Sequence, residues 1–118
     1  MRKLYRIEVP PLAEWSVDDV RAWREANRLP GRGEIVTREL AKAYRRIARL
    51  PFAAALVHVN GRYAETARYL VLDAIGCNVY YDVIEEKRMV IVLLLWGARR
   101  EAPKLRVKMQ PKTPKPKG

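Results

Sequence analysis

Arg99 and Arg100 stand side by side just after an aliphatic run that closes in Trp96. Their planar forks of donors suit a phosphate or a carboxylate. Upstream, in GCNVYYDV (76–83), Asn78, Tyr80 and Asp82 alternate with Cys77, Val79, Tyr81 and Val83, the pattern of a strand with two different faces. If the two segments are neighbours, Asn78, Tyr80, Trp96, Arg99 and Arg100 form one target-binding surface. An arginine there can clamp a phosphate while Tyr80 stacks on an unpaired base. The competing use is ion pairing with Glu101, Asp82 or an acidic partner protein. In an extended segment consecutive arginines point in opposite directions, so only one of the two addresses a given cleft.

Cutting a phosphodiester asks for more. Metal-free cleavage needs a base, an acid and groups that hold the developing charge. Arg99 and Arg100 are the catalytic candidates for the charge, with Tyr80 or Tyr81 as proton carrier, or Tyr69 behind them. A tyrosine does that work only with a displaced pKa, and no lysine lies in 67–74 or 76–83. The nuclease set is thin. A single cysteine, Cys77, excludes an internal disulfide, and with one histidine, His58, it does not make a zinc site of the usual kind. No glycine-rich phosphate loop is present; Gly31 and Gly33 in PGRGE read as a turn between helices. No cofactor and no metal is implied.

The chain of 118 residues is the size of one domain, and its apolar content suits a packed core. Its start, MRKLYRIEV, is charged, and the uncharged run 89–98 is far shorter than the roughly 20 residues a spanning helix needs. The expectation is a cytoplasmic protein with no membrane association. The formal net charge is +11, and residues 104–118 hold six of the 24 cations and no acid. Such a surface favours polyanionic partners: nucleic acid, a ribosome, or an acidic protein.

The elements that would position the arginines follow from periodicity. Residues 3–9 form a first strand that Pro10 and Pro11 end. A helix covers about 12–28, with Ser16 and Asp19 at capping-box spacing and Val17, Val20, Trp23 and Asn27 as its stripe. After LPGRG, a second helix runs to about Leu50. Val36, Leu40, Tyr44 and Ile47 lie on one face, and Arg38, Lys42, Arg45, Arg46 and Arg49 on the rest. Residues 51–66 read as a loop with at most a brief strand, although Asn60-Gly61 is a tight-turn dipeptide. Strands follow at 67–74, 76–83 and 89–96, and the unalternating last one reads as central and buried on both faces. The order is β-α-α-β-β-β: an α+β two-layer domain over 1–105, a helical hairpin packed on a mainly antiparallel sheet. Residues 106–118 read as a basic Pro/Lys-rich tail that does not fold alone.

This order, the GCNVYYDV strand, the charged turn EEKR, and the ending VIVLLLWGARREAPKL together resemble the RelE/ParE superfamily of type II toxins, in its plasmid stabilisation type. The likeness covers roughly residues 3–105 and rests most on Tyr80-Tyr81, Trp96, Ala98, Arg99, Arg100, Pro103, Lys104 and Leu105. It implies a growth-inhibiting toxin neutralised by a cognate antitoxin that wraps over helices and sheet. RelE-like members of the family cut messenger RNA on the ribosome. Of the residues they use, only the arginine after the last strand has a match here, at Arg99. The family's strand lysines fall near Tyr69 and Val71, its third-strand arginine at Asn78, and its C-terminal tyrosine near Leu105. ParE-like members poison DNA gyrase without nuclease residues, and by exclusion the resemblance favours that target. The alternatives are a ribosome-dependent mRNA endonuclease and a non-catalytic nucleic-acid or ribosome-binding module.

Overall fold

Pro10 and Pro11 set the first boundary of the fold. The computed structural model describes residues 3–111. A short strand, β1 (Arg6–Glu8), ends just before the prolines, and helix α1 (Pro11–Ala26) begins on the second of them. A proline at the first helical position has its φ preset and needs no N–H partner there. The helix thus starts earlier than a cap at Ser16 would have it. Ser16 lies inside α1, where its hydroxyl donates to Ala13 O (2.6 Å) and accepts from the Leu95 N–H (2.9 Å). The capping-box reading is overturned: this hydroxyl ties α1 to the sheet.

The stripe of α1 also differs from the expected one. Ala13, Ser16, Val17 and Arg24 are buried, whereas Trp23 is 58% exposed. Arg24 is buried at no cost in unpaired donors. Its Nε donates to Arg32 O (2.9 Å) and its Nη2 to Pro30 O (2.7 Å), so it staples the interhelical turn to α1. Helix α2 (Glu34–Arg49) matches its sequence pattern: Val36, Leu40, Ala43 and Ile47 are buried and Tyr44 partly so. Arg38, Lys42, Arg45, Arg46 and Arg49 are exposed.

Both helices cover one face of a five-stranded sheet ordered β1-β5-β4-β3-β2. Strand β1 runs parallel to β5 (Met89–Gly97), with Ile7 opposite Val90; every other pair is antiparallel. This is the expected two-layer α+β domain with one strand more. Residues 51–66, read as loop, contain β2 (Ala55–Val59) and the first half of β3 (Arg62–Leu72). Asn60 and Gly61 join them with φ of +51° and +76°, the double left-handed turn that matches hairpin twist. The centre of the sheet is β4 (Cys77–Ile84), and β5 lies between it and β1.

Cys77, Val79, Tyr81 and Val83 from β4 and Val90, Val92 and Leu95 from β5 form the core under the helices with Val36, Leu40 and Ile47. A bulge shifts the β4–β5 register between Tyr80 and Tyr81, so Leu94 faces Tyr80 and Val92 faces Tyr81. The bulge is one reason β5 shows no alternation. The other is a second cluster on the opposite face of the sheet: Val57, Ala64, Ala67 and Tyr80, with Tyr69, Leu93 and Trp96 against them.

That second face is covered by the chain itself. Leu105, Val107 and Met109 pack on the cluster, while Lys104, Arg106 and Lys108 are exposed. The Glu65 N–H donates to Lys108 O (2.9 Å) and the Gln110 N–H to Tyr63 O (2.7 Å), around an antiparallel bridge of Ala64 with Met109. Arg62 Nε also donates to Gln110 O (3.0 Å). The sequence reading ends the folded domain at Leu105, but the backbone continues along the sheet to Gln110 as an extended strap. Of the expected tail, 112–118 lies outside the described residues.

Candidate functional site

Strand β5 ends in a crowded turn. Trp96 pairs with Asn78 across the β4–β5 ladder, and Gly97 pairs with Cys77. The Arg100 N–H then donates to Gly97 O (3.1 Å), so 97–100 is a turn and not the extended segment expected. This changes the geometry of the two arginines. Arg100 folds back until its guanidinium carbon is 3.8 Å from the centroid of the Trp96 ring, a stacked cation–π contact. Gly97 permits it: a Cβ there would lie 3.2 Å from Arg100 Cγ and Cδ. The Trp96 Nε1–H donates to Glu101 O (2.8 Å) and fixes the ring from the other end. Arg99 is exposed at the tip of the turn.

The structure thus brings Asn78, Trp96, Arg99 and Arg100 to one corner. Asn78 is half-buried, and its Oδ1 has no hydrogen-bond partner among the described residues. Tyr80 shares their face of the sheet but is only 8% exposed, beneath the strap and tilted against Tyr69 at 5.9 Å between ring centres. In this arrangement it presents no face for a base to stack on. Tyr81 points to the other side. It is buried under the helices, and its hydroxyl donates to Pro51 O (2.8 Å). Burial pushes its phenol above the ordinary tyrosine range, against the opposing pull of Arg68 and Arg46. The direction is wrong for a phenolate base at neutral pH. Cys77 is a buried thiol whose pKa burial likewise raises, opposed by Arg24. Such a thiol is a poor nucleophile.

Sequence reasoning missed the strap's contribution. Lys104, Arg106 and Lys108, which follow Arg99 and Arg100 in the chain, are exposed along the strap, and none of the five has a carboxylate in ion-pair distance among the described residues. The signal was present as a strict two-residue alternation from Leu105 to Met109, hidden among prolines and lysines. Among the described residues no group of His, Cys, Asp and Glu is placed to hold a metal ion, and no helix is long and apolar enough to cross a membrane. Chemically, the corner is a pair of arginines, one of them stacked on an indole, continued along the chain by the strap's exposed cations.

The architecture is one shared with solved RelE toxin structures. The isolated E. coli RelE toxin superposes with a TM-score of 0.53 at 21% identity, over 82% of this chain and 87% of that one. A chain of the intact E. coli RelBE toxin–antitoxin complex gives a TM-score of 0.55 at 22% identity, over 81% of this chain and 99% of that one. No family model matches the sequence, and no curated protein matches it. The chain has the RelE toxin fold; at these identities the fold is what is shared.

Proposed function

We propose that this chain is the toxin component of a type II toxin–antitoxin module and that it arrests growth by gripping RNA of the translation machinery. The observation that carries the reading is the series of cations Arg99, Arg100, Lys104, Arg106 and Lys108 on a RelE-type fold. Exposed cations spread along a turn and the extended strap after it suit a phosphate backbone better than a compact protein epitope. The likeness to RelE supports a ribosome-bound target over DNA gyrase, which the missing nuclease residues alone would favour. The same geometry argues for binding over cutting. Neither Tyr80, under the strap, nor Tyr81, under the helices, stands beside the arginines as a proton carrier.

A cognate antitoxin is the protein partner in this reading. Helix α1 leaves Leu12, Trp15 and Trp23 exposed, a row at helical spacing that a partner segment would cover. Serine at both tryptophan positions is expected to weaken that complex without unfolding the chain.

The test is induced expression with and without the neighbouring reading frame. Growth arrest that the neighbour relieves, with the protein sedimenting on ribosomes, is the expected result. Arg99→Ala with Arg100→Ala should abolish ribosome association. DNA cleavage complexes with an SOS response would shift the target to gyrase, and unimpaired growth would remove the toxin reading.

A further inference from the structure

A second site lies at the other end of β5. At the C-terminal end of α2, a cleft of about 790 Å³ is lined by Lys3, Tyr5, Arg49, Phe52 and Arg88, together with Leu50, Pro51 and Ala53. That volume is within the usual range for small-ligand sites. Arg88 directly precedes β5 and Arg99 follows its end, so the two sites are roughly 30 Å apart at about 3.3 Å per residue. Nothing in the toxin reading uses this cleft.

Its lining contains three cations and no carboxylate, and none of the three forms an ion pair among the described residues. It also contains an aromatic ring held in place at the surface. Phe52 is 46% exposed, in a T-shaped arrangement with Tyr5 at 6.1 Å between ring centres and an interplanar angle of 87°. The Arg68 guanidinium lies 5.4 Å from its ring centre. The backbone of this loop is pinned as well. Arg68 Nη1 donates to Phe52 O (3.0 Å) and Ala54 O (2.6 Å), and the Tyr81 hydroxyl to Pro51 O (2.8 Å). A ring ordered in advance loses little entropy when something stacks on it.

We infer that this cleft binds an unpaired nucleotide of a single-stranded nucleic acid, with the base on Phe52 and the flanking phosphates on Lys3, Arg49 and Arg88. Cations alone would fit any polyanion, an acidic peptide included. The exposed, pinned ring singles out a flat π-faced group beside the charge, and a duplex keeps its bases stacked away from such a ring. The inference does not depend on the toxin reading, because binding is read on the isolated protein.

The test uses the full-length chain and fluorescence anisotropy with 12-mers of oligo-U and oligo-dT, a 12-base-pair duplex, and poly-glutamate as probes. Phe52→Leu should weaken single-strand binding roughly tenfold, the order of one lost stacking contact, and leave duplex binding unchanged. Arg88→Gly should lower the salt dependence of binding by about one phosphate contact. Arg88 sits at φ +47°, where glycine is the preferred residue, so this variant keeps the fold while losing the guanidinium. Arg38→Gln, on the exposed face of α2 away from the cleft, matches the charge change and should have little effect. A preference for oligo-U or for oligo-dT reports the 2′-hydroxyl and the 5-methyl group together, and either supports the site. The inference is overturned if Phe52→Leu binds single strands as the parent does. It also fails if Arg88→Gly is no worse than Arg38→Gln, or if poly-glutamate competes as well as the oligonucleotides.

Discussion

The two faces of the sheet are built by different physics. Under the helices, Val36, Leu40, Ile47, Val79, Tyr81, Val90, Val92 and Leu95 are nearly or fully buried, and α1 is tied to β5 by the Ser16–Leu95 hydrogen bond. On the other face a strap of half-buried Leu105, Val107 and Met109 covers Tyr80, Ala64 and Ala67. Half-burying an apolar side chain stabilises by roughly 1 kcal/mol. Ordering one residue's backbone costs about 1–2 kcal/mol. The strap therefore sits close to balance, whereas the helix face carries the stability of the fold. The helix-side core is enclosed between two layers of regular elements, the helices and the sheet. The other face is closed by one extended segment near that balance.

Breaking the helix face should have the largest effect. Leu95→Ala removes a buried side chain from the middle of β5 and should destabilise by about 2–5 kcal/mol, read as a lower denaturant midpoint with an unchanged slope. Ser16→Ala comes next. It strands the buried Leu95 N–H, which has no alternative partner so close, at a cost of about 1–3 kcal/mol. Ser16→Thr keeps the hydroxyl and should recover part of the loss if its extra methyl is accommodated.

A chain ending at Leu105 sharpens the contrast from the other side. It loses Val107, Met109 and the bonds to Tyr63 and Glu65, yet it should melt within a few degrees of the full chain. Hydrogen exchange is the more telling measurement. In the full chain the Gln110 and Glu65 amides should exchange through a local opening, much faster than the Leu95 amide, which exchanges with global unfolding. Equal protection at all three would show that the strap is part of the same cooperative unit and that the two faces do not differ.

The sequence showed the first face better than the second, for reasons visible residue by residue. In β4, Cys77, Val79, Tyr81 and Val83 alternate cleanly, and in α2 four apolar residues recur at helical spacing; burial on one side writes itself directly into such periods. The start of β3 reads RYAETA, which lacks an apolar run because its buried positions hold Ala64 and Ala67, small enough to admit the strap. Hydrophobic periodicity puts Trp23 in the stripe of α1 and leaves Arg24 out of it. The structure reverses both because Pro30 and Arg32 carbonyls, contributed by a loop, satisfy the guanidinium. The site was half legible. Trp96, Arg99 and Arg100 could be named from their order, but the turn that stacks Arg100 on Trp96 depends on Gly97 having no side chain to displace it. Gly97→Ala is accordingly expected to free Arg100 from the indole, seen as a change in Trp96 fluorescence, with little change in stability.

Alkaline pH separates the two faces by titration, with the smallest effect of the set. Burial raises the pKa of Tyr81, and of Tyr44 with help from the Glu14 charge, and burial also raises that of Cys77. Each group is neutral when protonated, and each binds its proton more tightly folded than unfolded. Between the unfolded and the folded pKa the native state therefore holds more protons, so stability falls as pH rises. It is fully present below the unfolded values, about 8.5 for cysteine and 10 for tyrosine, and is lost above them. All three groups belong to or abut the helix face. The decline should therefore persist in the chain ending at Leu105, and Tyr81→Phe should make it shallower above pH 10. The same variant deletes the bond to Pro51 O, which lowers stability at every pH, so the slope and not the offset is the quantity to compare. A slope unchanged by Tyr81→Phe would assign the alkaline loss to Cys77 and Tyr44. A slope abolished by the truncation would place the titrating groups under the strap instead.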